Sequence, residues 1–183
     1  TRARTIIPGR DTLGTGEELR FEEGPRLQVA HLWERGCHRI AFAGAADPRL
    51  AGLARARREL AEATLRELSG DGFADAVDIA GPEGAANAVA RWAVNGIDGV
   101  VAYNDDVAAL VLGAALRQGI EVPTRLAIVG HDDTPLAALM VPALSSVRVD
   151  SAGLGRFVAE LALSRATDAA EPLAGPVATV TLV

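Results

Sequence analysis

Cysteine occurs once in 183 residues, at Cys37, so no intrachain disulfide can form and no cysteine cluster can hold a metal. Aromatic residues are scarce at 4%, which leaves the core of a chain that is 49% apolar to Ala, Val, Leu and Ile. Basic residues are outnumbered: 18 Lys and Arg stand against 24 Asp and Glu, for a net charge of −6. A nucleic-acid surface needs the opposite balance, so none is expected within these residues. No apolar run reaches the roughly 18 residues of a membrane-spanning helix. No basic-plus-apolar leader precedes the first strand. The expectation is a soluble cytoplasmic protein without membrane contact. The chain opens at Thr1 rather than methionine and is read as a fragment or processed form. Walker A, G-x-G-x-x-G and G-x-S-x-G sequences are all missing, so neither a phosphate cradle nor a nucleophile elbow is expected.

What is present is an alternation of strands and helices. Arg4–Pro8 reads as a short strand and Asp11–Glu18 as a loop. Pro25–Arg35 reads as a helix, with Pro25 in its first turn and Gly36 past its end. Arg39–Gly44 is an apolar strand, followed by a long periodic helix within Arg49–Ser69. Ala76–Ala80 is a weaker strand, and Gly84–Asn95 the next helix. Gly99–Tyr103 is apolar without alternation, as expected of a strand covered on both faces. Asp105–Gln118 is a helix whose opening aspartates favour its positive end. Leu126–Gly130 is a second buried strand. Ser151–Ala166 is a helix and Val177–Val183 a last strand. Strands separated by helices of this length imply a doubly wound α/β protein with parallel sheets.

In such sheets ligands sit where strands end and loops begin. Asn104-Asp105-Asp106 and His131-Asp132-Asp133 fall at two such ends. An Asn side chain offers a ligand both a donor and an acceptor. It also caps helices, and position alone leaves both roles open. Carboxylates after a strand suit ligand hydroxyls, metal binding or catalysis, yet Asp133-Thr134-Pro135 is also ordinary turn chemistry. Ser145, His131 and Asp132 could supply a hydrolytic set, but no nucleophile elbow accompanies them. His31, His38 and His131 lack metal spacing, and neither a metal nor a cofactor is expected. Cys37 reads as structural. Leu136–Leu144 is apolar enough to be partly buried in a dimer interface.

Several ordered segments resemble the effector-binding core of the LacI/GalR family of bacterial transcription regulators. Gly36-Cys37-His38-Arg39-Ile40-Ala41-Phe42 is similar to its helix-turn-strand segment. Ala102-Tyr103-Asn104-Asp105 resembles its A-x-N-D strand end. Gly119-Ile120-Glu121-Val122-Pro123 resembles its GxxVP turn. Ile128-Val129-Gly130-His131-Asp132-Asp133 resembles its VVGFDD loop, and Pro142-Ala143-Leu144-Ser145-Ser146-Val147-Arg148 its PxLTTVR crossover. The resemblance spans nearly the whole chain.

It implies a periplasmic-binding-protein-like type I core of two subdomains with the effector between them. Residues 1–40 and 146–183 would belong to a partial N-terminal subdomain and residues 41–145 to the C-terminal one. The family's helix-turn-helix domain would lie outside this chain. Carried across by position, Asn104 and Asp132 are the implied effector contacts, and Asp11 is a looser one from the partial subdomain. The family's R-x-x-G-aromatic segment falls near Gly52, which makes Arg49 the candidate cation, with Arg55 close by. The last crossover carries Val149 where the family has a polar residue, and Gly81 lies where it has a stacking aromatic.

The expected function is therefore that of a ligand-sensing core without catalysis. Its partners would be a sugar-like effector, operator DNA through the absent domain, and a second copy of the chain. Two alternatives are an extracytoplasmic sugar-binding protein and an α/β enzyme using Asp132 or Asp133 as general base.

Overall fold

The computed structural model describes residues 23–167 and 180–183. Its elements run α1 (Glu23–Glu34), β1 (Ile40–Ala45), α2 (Ala51–Ser69), β2 (Asp75–Ile79), α3 (Gly81–Val94), β3 (Gly99–Ala102), α4 (Asp105–Arg117), β4 (Ala127–His131), α5 (Pro135–Leu139), β5 (Ser145–Val149), α6 (Ser151–Thr167) and β6 (Val180–Leu182). Six strands form one sheet in the order β2-β1-β3-β4-β5-β6. The first five are parallel, and β6 returns antiparallel to β5. The α/β class and the parallel sheet agree with the sequence reading.

Both faces of the sheet are covered. α1 and α2 pack together on one side, and α3 and α4 on the other. This double cover explains why β3 and β4 are apolar throughout: every residue of each is buried. The core is built from small aliphatics, with Trp92 its largest fully buried side chain. Trp92 donates its indole N–H to Asp75 at 2.7 Å, so the ring is enclosed without a lost hydrogen bond.

α1 rests on β3, β4 and β5, and β5 and β6 are strands of the same sheet. α1 is held there by Val29 and Leu32, both buried, and by Gln28 at 1% exposure. Gln28 Nε2 donates to the carbonyls of Ala102 (2.9 Å) and Gly130 (2.8 Å). Those two carbonyls lie just past the last β3–β4 register pair, Val101 with Val129. One amide thus ties the strand ends together where the ladder stops. α1, β5 and β6 are thus part of one layer with β1 to β4.

Other expectations resolve in detail. Ser145–Val149, read only as a crossover, is a strand. The Leu136–Leu144 segment divides: Ala137 and Leu144 are buried, while Leu139 and Val141 are 77% and 83% exposed. Cys37 is buried, and its thiol is pushed up to about 11, chiefly by that burial and then by Asp98. His38 is exposed and meets Trp33 edge-on, and His31 accepts from Arg35. The expected Arg4–Pro8 strand and Asp11 lie outside the described residues.

Candidate functional site

The chain leaves β1 toward β2 on one side of the sheet, then crosses back to β3 on the other. The order therefore reverses between β1 and β3, and loops following the carboxyl ends diverge there into a crevice. Asn104, next to the end of β3, and Asp132, just past β4, share that carboxyl edge.

Asp132 is the most constrained of these residues. Its φ is 95°, a region that non-glycine residues seldom occupy, and Asp133 follows at 46°. The Asp132 N–H donates to Val147 O at 2.8 Å, which carries the β4–β5 pairing one residue past the end of β4. Its carboxylate meets Arg57 of α2, with Arg57 Nη2 2.7 Å from Asp132 Oδ1. The Arg57 side chain is only 14% exposed and that of Asp132 38%, so the pair is shielded from water more than a surface ion pair. Arg57 Nη1 also donates to Tyr103 O at 2.7 Å, and its guanidinium lies 4.8 Å from the Tyr103 ring centroid. His131, 3% exposed, places Nδ1 2.7 Å from Asp132 Oδ1. Burial works to raise the Asp132 pKa, but the His131 and Arg57 contacts prevail and bring it down to about 2. Burial is also the main cause that lowers His131; since an ionised carboxylate can only accept, the 2.7 Å contact is a hydrogen bond when Nδ1 carries the proton.

Asn104 sits in extended backbone ahead of α4, and its Oδ1 accepts from Val107 N at 3.0 Å. The cap left open by the sequence is therefore made. It uses only the carbonyl half of the amide, and Asn104 Nδ2 has no partner among the described residues. Behind it, Asp105 is fully buried and accepts from Thr134 N (2.6 Å), Thr134 Oγ1 (3.0 Å) and Ser146 Oγ (2.6 Å). Asp105 joins the start of α4 to the Asp132–Thr134 turn and to β5. Its role is to hold the loop that carries Asp132. Asp133 is held in turn by Arg148 and by Ser146 Oγ, so the second acidic residue is also structural.

Arg49 stands apart from the Arg57–Asp132 pair. It is exposed and closes on Asp47 with Arg49 Nη2 2.6 Å from Asp47 Oδ2, in the short turn before α2. Arg57, missed in the sequence, is the cation that reaches Asp132. Helical phase could have found it: Arg57 lies three residues after Ala54 and four before Ala61, both buried. An arginine on the inward stripe of α2 is the signal. Gln28 on the buried face of α1 is the same kind of signal.

The profile of the periplasmic binding protein-like domain family matches residues 29–183. The chain belongs to that family. Relatives of this periplasmic binding protein-like chain are LacI/GalR regulators. One is the Escherichia coli regulator GalR, 28% identical over 97% of this chain and 52% of its own length. Another is E. coli AscG, 34% identical over 66% of this chain and 37% of its own. A ribose operon repressor of Halalkalibacterium halodurans is 32% identical over 78% of this chain and 43% of its own. The chain thus spans about half or less of these relatives. Among solved structures, Chromobacterium violaceum GntR superposes with a TM-score of 0.71 at 26% identity, covering 87% of this chain and 60% of that one. A LacI-family regulator of Arthrobacter sp. FB24, solved in complex with lactose, gives 0.69 at 26% identity, covering 87% and 62%. The chain is similar to the periplasmic binding protein-like cores of LacI/GalR regulators.

Proposed function

We propose that this LacI/GalR-type core senses a small polar molecule, a sugar or related polyol, at the carboxyl edge of its sheet. The observation that carries the reading is the shielded Arg57–Asp132 pair at the same sheet edge as Asn104, whose Nδ2 has no partner among the described residues. A carboxylate, a guanidinium and an amide N–H at one strand-end crevice suit hydroxyl groups that both donate and accept. Asp11, a looser candidate, would contribute from the opposing subdomain, while Arg49, exposed and closed on Asp47, would add little from the rim. Relatives named as ribose operon repressors and a neighbour solved with lactose support the ligand class. Relatives named as regulators favour a sensor over a transport component.

Binding is the whole of the activity proposed, with no chemical step. Effector held between two subdomains would favour one closure state, and it can do so only by its difference in affinity for the two. In the complete protein that shift would alter operator binding by a helix-turn-helix domain, in the cytoplasm and as a homodimer. The net charge of −6 agrees with DNA contacts made by other residues. Leu139 and Val141 offer an exposed apolar strip for the second copy.

Amide chemical-shift mapping tests the site. D-ribose, D-galactose and lactose at millimolar concentration should move the resonances of residues 103–106 and 131–134. Shifts confined to other parts of the chain, with these residues unmoved, would remove the assignment.

A further inference from the structure

The VVGFDD loop that this chain resembles has an aromatic residue where His131 stands. His131 differs from a phenylalanine in one respect that bears on the site: it brings an N–H to the carboxylate of Asp132. Asp132 Oδ1 takes both short contacts, from His131 Nδ1 at 2.7 Å and Arg57 Nη2 at 2.7 Å. Those use its two lone pairs. Asp132 Oδ2 has one partner among the described residues, Arg57 Nη1 at 3.5 Å, too long to engage it fully. The two oxygens are therefore unequal: one is satisfied by the protein and the other is left to accept.

The ring itself is fixed from α1. A Cβ at Gly24 would fall 2.3 Å from His131 Nε2, so the missing side chain at position 24 is what makes room for the imidazole. Gln28, one turn along the same helix face, holds Gly130 O, next to His131. The first two turns of α1 thus seat the histidine, and the histidine seats the carboxylate. The other charged groups around it are Arg57 on α2 and Asp105 on α4, and Asp105 is already committed to Thr134 and Ser146.

We propose that His131 is a positioning residue for effector binding: its Nδ1–H pins Asp132 Oδ1, and Oδ2 alone is presented to a ligand hydroxyl. The inference rests on the effector-site reading above. It specifies a ligand that donates one hydroxyl to Asp132, rather than a vicinal pair spread over both oxygens.

The test combines a measurement that needs no ligand with one that does. The Asp132 carboxyl carbon is titrated by NMR in wild type, His131→Phe and His131→Asn. Binding of D-ribose and D-galactose is measured by calorimetry on the same proteins. His131→Phe keeps the ring and loses the N–H. It should raise the Asp132 midpoint and weaken binding about tenfold, as expected for a lost hydrogen bond to a charged group. His131→Asn, whose amide N–H can take the place of Nδ1–H, should restore most of both. Gly24→Ala leaves His131 in the chain but crowds its ring, and should follow His131→Phe, which keeps the test open should a His131 variant fail to fold. An Asp132 midpoint unmoved in His131→Phe and Gly24→Ala overturns the proposal. So does equal loss of binding in His131→Asn and His131→Phe, which would make ring shape the cause. If neither sugar binds wild type, the ligand class proposed above fails, while the titration still decides the His131–Asp132 bond.

Discussion

At Gly130 a methyl group would lie 2.2 Å from Asp105 Oδ1, and Asp105 is fully buried with its three donors. Neither partner can give way cheaply. Gly130→Ala should cost about 2 kcal/mol through overpacking. Asp105→Ala should cost about 3 kcal/mol, because it strands buried donors. The double substitution should cost less than the two single losses together, since the clash disappears with the carboxylate. Urea unfolding of the three variants measures this, and strict additivity would show that the contact is not shared. At this scale the sequence was only partly legible. Asn104 and Asp132 could be located because strand ends are visible as boundaries between apolar runs and polar loops. Asp105 read as a helix-dipole residue, since nothing local shows that Thr134 and Ser146 fold back onto it. Arg57 was hidden among neighbouring arginines of α2, where only helical phase separates the inward one from the outward ones.

α4 shows how one residue can serve an element and a site together. Asn104 Oδ1 caps the helix, while Nδ2 is unpartnered among the described residues. The two roles separate by substitution. Asn104→Ala should lower stability by about 1 kcal/mol and also weaken effector binding. Asn104→Asp keeps an acceptor for Val107 N, so stability should hold, while the lost N–H and added negative charge should still weaken binding. Thermal unfolding and calorimetry on both variants check this; equal loss of stability in the two would show that the cap is not the oxygen's work. Most elements were legible because buried parallel strands and amphipathic helices leave strong periodic or continuous apolar patterns. β5 was not, since Ser145-Ser146-Val147-Arg148-Val149 is short and half polar, and its pairing with β4 is a long-range choice. The assignment of α1 to the sheet was equally hidden. It depends on Gln28 reaching carbonyls of two strands far along the chain.

For the whole molecule, acid should act in two stages. His131 and His31 are both lowered from 6.5, chiefly by burial, so the unfolded chain takes up protons first and stability falls as pH drops below 6.5. Asp132 is held down to about 2, so its contribution is present above 3.8 and is lost as pH falls from there toward about 2. Thermal midpoints against pH should show the first decline reduced in His131→Phe, leaving the part due to His31. Assembly is also a property of this scale. If Leu139 and Val141 meet a second copy, Leu139→Asp with Val141→Asp should shift a dimeric sedimentation mass toward the monomer without changing the fold. The sequence brought the α/β class and the family within reach because those depend on the order of many weak signals. The central claim is that Arg57 and Asp132 form the effector site. Calorimetry of D-ribose, D-galactose and lactose against wild type, Asp132→Ala, Arg57→Ala and Arg49→Ala tests it most directly. The account predicts binding abolished in the first two variants and changed little in Arg49→Ala; wild-type affinity in Asp132→Ala and Arg57→Ala would contradict it.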